Sequence, residues 1–201
     1  MLIGLDFDNT IVGYDDVFRA AAIARAWLPA GFAGGKRLVR DTLRGEDGGE
    51  RKWMELQGEV YGSRMGDAVM FDGVTAFLAR CRRAGATVAV VSHKTERGHF
   101  DPAGTDLRAA ARTWMAAQGL FAAGLAPADV YFEAERAAKI ARIAALGCDV
   151  FVDDLEEVLL DPAFPRGCRR LHFAGTGGAR DLPFPSHADW GGIADAVFGP
   201  A

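Results

Sequence analysis

Acidic side chains follow two apolar runs that are typical of buried strands. Asp6 comes directly after "LIGL" and Asp8 two residues later, and Asp153 and Asp154 end the run "DVFVDD". Two unit charges about 4 Å apart repel by about 4 kcal/mol at an effective dielectric of about 20, so four carboxylates at one edge need a cation. Mg²⁺ prefers a few carboxylates together with waters and phosphate oxygens, whereas zinc sites use His and Cys. The acids therefore predict a magnesium site.

A magnesium site of this kind would hold a phosphate group beside a carboxylate. Asp6 could then attack the phosphorus and form an aspartyl-phosphate. Asp8, two residues further on, could protonate the leaving oxygen and later deprotonate a water. We therefore expect phosphoryl-transfer chemistry in which the two acids have different tasks.

The elements that must position these acids alternate along the chain. Short runs rich in β-branched and aromatic residues alternate with longer segments of helical period, which predicts an α/β fold: a three-layer, Rossmann-like parallel sheet of about five strands. The predicted strands are Leu2–Asp6, Thr87–Val91, Val130–Phe132, Asp149–Val152 and Arg170–Phe173. In an open parallel sheet the ligand crevice lies beyond the carboxyl ends of the strands, where the acids and Ser92 fall.

A small helical cap is predicted between the first two strands. About eighty residues separate these strands, which is far more than a normal crossover connection needs. We therefore expect a core domain of residues 1–13 and 71–201 and a small helical cap of residues 14–70. The predicted helices are Asp15–Leu28, Gly35–Arg44, Glu50–Tyr61, Val74–Ala84, Leu107–Gln118, Glu135–Leu146 and Ile193–Phe198.

Four short motifs occur in order along the predicted core. They are "DFDNT" after the first strand, "VVS" at the end of the second, Lys139 at the start of "KIARIAALGC", and "VFVDD". Their residue types and order resemble the four motifs of the haloacid dehalogenase superfamily, and the resemblance spans Leu2 to Asp154. It implies that Asp6 is the nucleophile and that Asp8 is the general acid and base.

The same resemblance implies the contacts to phosphate and metal. Ser92 and Lys139 would bind the phosphate. The implied ligands of Mg²⁺ are Asp6, the backbone carbonyl of Asp8, Asp153 and Asp154.

The second acid of the first motif bears on the reaction. Superfamily members that cleave carbon–halogen bonds lack it and transport ATPases have lysine there, whereas phosphatases and phosphomutases have an acid such as Asp8. Thr10 stands where most phosphatases of the superfamily carry threonine, and we expect it to bind substrate. The resemblance thus implies a Mg²⁺-dependent phosphatase that hydrolyses a small phosphate monoester, such as a sugar phosphate, through an aspartyl-phosphate.

Other functions stay open at this point. They are a phosphomutase or phosphotransferase of the same superfamily, and a non-catalytic phospho-acceptor or scaffold protein. A response-regulator receiver combines similar groups, but its acidic pair precedes the phospho-accepting aspartate and it has no cap. The order of residues here disfavours that class.

Polar and charged residues follow the second predicted strand in a loop rich in Gly, Pro and Asp, which runs from His93 to Asp106. Loops at the ends of parallel strands are where binding sites are built. We expect His93, Lys94 and Arg97 to contact the part of the substrate beyond the transferred phosphate. We also expect this loop to face the cap across the acids.

The composition is that of an ordinary globular domain. The 201 residues carry a formal net charge of −4, which gives no general attraction to nucleic acid or to an anionic membrane. The three cysteines, an odd number without paired spacing, argue against a disulfide framework. We expect a small phosphorylated molecule as partner, and a cytoplasmic location because no signal peptide or spanning segment is recognisable. The oligomeric state is left open.

Overall fold

A parallel β-sheet forms the centre of the computed structural model, which describes residues 1–200 with the side chain of Thr176 excepted. The strands are β1 (Leu2–Leu5), β2 (Val12–Gly13), β3 (Val69–Met70), β4 (Thr87–His93), β5 (Val130–Glu133), β6 (Val150–Asp153), β7 (Arg169–Phe173) and β8 (Ser186–His187). Their order in the main sheet is β5-β4-β1-β6-β7-β8, with each described pair parallel. The predicted α/β fold is confirmed, and β8 adds a sixth, short strand to the five predicted.

The helices lie between these strands, and the longer ones follow the predicted apolar periodicity. They are α1 (Asp15–Ala24), α2 (Lys36–Arg44), α3 (Gly49–Tyr61), α4 (Val74–Arg83), α5 (Leu107–Ala117), α6 (Leu120–Ala123), α7 (Arg136–Leu146), α8 (Glu156–Leu159) and α9 (Trp190–Phe198). The single-turn helices α6 and α8 were not predicted, because they are too short to show a helical period.

The three central strands of the sheet, β4, β1 and β6, are buried on both faces. They are almost continuously apolar because helices cover both faces of a parallel sheet. Gly4 has a steric reason to lack a side chain: a Cβ there would lie 2.4 Å from the ring of Phe151 on the neighbouring strand. The order of strands reverses beside β1, so the carboxyl end of β1 is the expected ligand crevice.

Residues 1–200 form two compact units. The first contains Met1–Val12, Met70–Lys94 and the chain from Gln118 onwards, and it includes the main sheet. The second contains Gly13–Val69 and Thr95–Ala117. The predicted division into a cap of residues 14–70 and a core remains a prediction of domain organisation, and Ala201, at the end of the predicted core, lies outside the described residues.

The second unit is a group of helices in which α1, α2 and α3 pack on one another and α5 packs on α3. The segment before α5 lies directly on α3, because a Cβ at Gly98 would be 2.5 Å from the Cα of Gly58. The indole N–H of Trp114 in α5 donates to the carbonyl of Ala68 at 3.0 Å. These contacts explain why Thr95–Ala117 belongs to this unit.

Two further properties of the described chain concern the function classes considered above. No helix within residues 1–200 is long and apolar enough to cross a membrane. Cys81, Cys148 and Cys168 are buried free thiols. Burial raises the pKa of Cys81 and of Cys168 to about 12, so neither supplies a thiolate at neutral pH.

Candidate active site

A tight turn at the carboxyl end of β1 presents the first motif. The backbone N–H of Asp6 donates to the carbonyl of Val152 at 2.8 Å, which extends the pairing of β1 with β6 by one residue. The carbonyl of Phe7 then accepts from the N–H groups of Ile11 and Val12 at 2.9 and 3.2 Å. Asn9, in the middle of the turn, has a φ of 61°, a left-handed conformation that Asn tolerates well.

A buried lysine joins the ends of β1 and β6. The ammonium of Lys139, in the first turns of α7, lies 2.7 Å from Oδ1 of Asp6 and 2.6 Å from Oδ2 of Asp153. Lys139 is 1% exposed and Asp153 is completely buried. The other oxygen of Asp153 accepts from the backbone N–H of Leu155 at 2.9 Å. Lys139 thus contacts an acid from each of the two strand ends.

The charges of this cluster affect one another strongly. Burial alone would lower the pKa of Lys139, but the charges of Asp153 and Asp6 outweigh it and raise that pKa well above its usual value. Burial raises the pKa of Asp153; the charge of Lys139 opposes the rise and that of Asp6 adds to it. Lys139 therefore remains charged, while the acids still repel one another and would be stabilised by a further cation.

The donor set fits a hard divalent cation. Asp6, Asp153 and Asp154 each offer a carboxylate oxygen, and these oxygens lie within 4.8 Å of one another. All three donors are carboxylate oxygens, and the single charge of Lys139 cannot balance three carboxylates. Oxygen donors at the edge of a parallel sheet suit Mg²⁺, which also takes oxygens from water and phosphate. The residues present therefore fit the implied metal.

Two hydroxyl groups near these strand ends are buried without a protein partner. The side-chain oxygens of Thr10 and Ser92 are inaccessible to solvent, and neither has a hydrogen-bond partner among the described residues. Buried polar atoms in native proteins are almost always hydrogen-bonded, so each such exception needs an explanation. A bound ligand with oxygen acceptors would provide these partners, and a phosphate group is one.

The residues after β4 are placed differently from one another. The ammonium of Lys94 lies 2.9 Å from Oδ2 of Asp8, and Lys94 is almost completely buried. His93 is exposed, and its Nε2 lies 2.9 Å from the carbonyl of Ala134. Arg97 donates to the carbonyl of Gly104 at 2.6 Å within its own loop. Contact of all three side chains with substrate remains a prediction.

A buried histidine next to the acidic pair was missed. Nε2 of His172, on β7, lies 3.2 Å from the carbonyl of Asp154, and its Nδ1 lies 2.8 Å from Oγ of Ser186. The backbone N–H of Arg180 donates to the same Oγ at 2.9 Å. The carbonyl of Asp154 can only accept, so Nε2 carries the proton of the neutral ring and Nδ1 accepts from the Ser186 hydroxyl. This network assigns the proton to Nε2 and connects β8 to the backbone of the acidic pair. The partners of His172 could have been predicted only by recognising that β8 pairs with β7.

Comparisons with known proteins relate this arrangement to other structures. No protein-family model and no curated protein sequence matches the chain. Among solved structures, protein tyrosine kinase A (PtkA) of Mycobacterium tuberculosis is similar at 17% identity and a TM-score of 0.63, over 98% of this chain and 97% of that one. A haloacid dehalogenase-like family hydrolase from Xanthomonas campestris is similar at 16% identity and a TM-score of 0.57, over 98% and 94% of the two chains.

A third similar structure contains a ligand. CbbY from Rhodobacter sphaeroides, in complex with xylulose-(1,5)bisphosphate, has 14% identity and a TM-score of 0.55, and the match covers 94% of each chain. At these identities the likenesses show a common fold, and they extend over nearly the whole of this chain.

Proposed function

We propose that this chain, whose fold is that of the haloacid dehalogenase superfamily, is a Mg²⁺-dependent phosphatase acting on a small phosphate monoester. The observation that carries the proposal is the buried cluster in which Lys139 bonds Asp6 and Asp153 at the carboxyl edge of the sheet. Several similar structures are of hydrolases of that superfamily, which supports the same chemistry.

The first half of the reaction would use Asp6 as the nucleophile. One carboxylate oxygen of Asp6 attacks the phosphorus, and the bond from phosphorus to the leaving oxygen breaks. Lys139 and the hydroxyls of Thr10 and Ser92 donate to the phosphate oxygens and stabilise the charge that they carry. Asp8 gives its proton to the leaving oxygen, so the alcohol departs neutral and an aspartyl-phosphate remains.

The second half returns the enzyme to its starting state. Asp8, now a carboxylate, takes a proton from a water whose oxygen attacks the phosphorus of the aspartyl-phosphate. The bond between phosphorus and Asp6 breaks, and inorganic phosphate is released. Mg²⁺, held by Asp6, the backbone carbonyl of Asp8 and the pair Asp153 and Asp154, would neutralise phosphate charge when bound.

We further propose that the substrate is a sugar phosphate or a similar small metabolite. The bisphosphorylated sugar bound by CbbY supports this class, because a chain of the same fold accommodates such a ligand. His93 remains a predicted substrate contact from its place after β4, whereas the ammonium of Lys94 pairs with Asp8. Phosphomutases and phosphotransferases differ from a phosphatase in that another hydroxyl, and not water, accepts the phosphoryl group. The products therefore distinguish these activities.

The proposal is tested by measuring phosphate release from a panel of phosphorylated metabolites and a generic aryl phosphate. We expect release with Mg²⁺, loss of release with a chelator, and recovery when Mg²⁺ is restored. Asp6→Asn should abolish turnover because an amide cannot attack phosphorus, whereas Asp47→Asn, at an exposed turn of the second unit, should leave it unchanged. An active protein with no dependence on Mg²⁺, or an Asp6→Asn variant of near-normal rate, would refute the proposal.

A further inference from the structure

We propose that Lys94 is a positioning residue for Asp8: its ammonium holds the Asp8 carboxylate in the orientation from which protons are exchanged with the leaving group and with water. The inference rests on the proposed phosphatase function, because that function gives Asp8 its acid and base role. It is carried by a buried ion pair that joins the residue after β4 to the turn after β1.

The ion pair has little freedom. The ammonium of Lys94 lies 2.9 Å from Oδ2 of Asp8, and the two side chains are 2% and 17% exposed. The backbone N–H of Lys94 donates to the carbonyl of Glu133 at 2.8 Å, which extends the pairing of β4 with β5. The ammonium also lies 5.7 Å from the centroid of the ring of Phe7. Lys94 is thus fixed at its backbone and at its charged end, and its long side chain is ordered before substrate binds.

The two acids of the first motif form ion pairs with different lysines. Lys139, from α7, bonds Asp6 and Asp153, whereas Lys94, from the end of β4, pairs with Asp8. Asp6 is therefore oriented by one cation and Asp8 by another. A general acid and base must lie within hydrogen-bond reach of the proton that it moves, and a displacement of about 1 Å can cost about a hundredfold in rate.

The burial of Lys94 distinguishes positioning from recognition of a distant part of the substrate. A cation that recognises a second phosphate keeps its ammonium available to that phosphate. The ammonium of Lys94 is already paired with a carboxylate, and the residue is 3% exposed. If Lys94 positions Asp8, removing Lys94 should lower kcat, and only in an enzyme that retains Asp8. Recognition would place the effect on KM, and it would depend on which substrate is used.

A double-mutant cycle separates the two roles. We would measure kcat and KM for the wild type, Lys94→Met, Asp8→Asn and the double variant, with an aryl phosphate and the best metabolite from the panel. We expect Lys94→Met to lower kcat roughly ten- to a hundredfold on both substrates, with KM changed less than about twofold. In the Asp8→Asn background the same substitution should change kcat by less than about twofold.

Equal losses in both backgrounds, or a rise in KM with an unchanged kcat, would overturn the proposal. Lys52→Met, which removes a half-exposed lysine of the second unit, is the matched control and should leave both constants unchanged. Lys94→Arg retains the charge and should recover part of kcat. If Lys94→Met does not fold, Lys94→Arg and Lys94→Gln in the same two backgrounds complete the cycle. A wild type without phosphatase activity would instead refute the proposed function, and this inference with it.

Discussion

The ion pairs at the carboxyl edge of the main sheet and those of the second unit have similar partners but different surroundings. At the sheet edge, Lys139 and Lys94 are buried and reach acids on other elements of the first unit. In the second unit, pairs such as Lys52 with Glu46 and Arg51 with Glu55 are partly or largely exposed and join residues close in the sequence.

The difference in burial distinguishes ion pairs that contribute modestly to stability from ion pairs that stability does not require. Exposed pairs contribute at most about 1 kcal/mol each and fix helix contacts at little cost. Burying charges costs several kcal/mol per ion in desolvation, which their mutual attraction need not repay. A chain that buries two lysines among acids at one sheet edge therefore maintains an arrangement that stability alone does not require, as the proposed phosphatase function would need.

The largest effect is expected from Lys139→Met in the metal-free protein. The substitution leaves Asp6 and Asp153 buried without their cation, and removing one partner of a buried pair typically costs about 3–5 kcal/mol. Unfolding in urea measures the loss, and turnover should be abolished as well. If the free energy of unfolding decreases by less than about 1 kcal/mol, the cluster contributes no more to stability than an exposed ion pair.

Removing the unpartnered hydroxyls of Thr10 and Ser92 should not lower stability, but it should lower activity. Thr10→Val and Ser92→Ala remove buried groups that have no partner in the described chain, so stability should be unchanged or raised by up to about 1 kcal/mol. Phosphate hydrolysis should fall roughly ten- to a hundredfold, because a hydrogen bond to a charged group is lost. Ser63→Ala, at an exposed serine, is the control. If both variants lose stability and keep full activity, the hydroxyls do not contact substrate.

A smaller effect concerns pH. Burial lowers the pKa of His172, so the folded protein favours the neutral ring and binds fewer protons than the unfolded chain just below pH 6.5. His172 should therefore destabilise the protein as pH falls below about 6.5 and have no effect on the slope above it. The urea midpoint of the wild type should decrease more steeply between pH 7 and pH 5 than that of His172→Gln. Parallel pH profiles would contradict this expectation.

The smallest effect is expected in the second unit. Lys52→Met removes a pair whose side chains are 32% and 44% exposed, and it should change the free energy of unfolding by less than about 1 kcal/mol. The same urea measurement serves as the counterpart of Lys139→Met. Similar losses for the two lysine variants would remove the distinction between the regions.

Much of this site could be predicted from the sequence because its motifs are local and occur in a fixed order. Apolar runs placed Asp6, Ser92 and Asp153 at strand ends. The resemblance to the haloacid dehalogenase superfamily singled out Lys139, whose contacts with Asp6 and Asp153 come from the structure. The pairing of Lys94 with Asp8 could not be predicted. It joins residues that follow two different strands, and it depends on the directions of their side chains, which no local sequence pattern determines. His172 was missed because β8, which supplies Ser186, has only two residues.

In the proposed mechanism, Asp6 accepts a phosphoryl group and Asp8 helps water to remove it. The most direct measurement is the intact mass of Asp8→Asn, quenched in acid during reaction with an aryl phosphate and Mg²⁺. We expect a mass increase of one phosphoryl group, located on Asp6 by peptide mapping and absent in the Asp6→Asn, Asp8→Asn double variant. Phosphate release by the wild type without any such adduct on Asp6 in the Asp8→Asn variant, or an adduct on another residue, would contradict it.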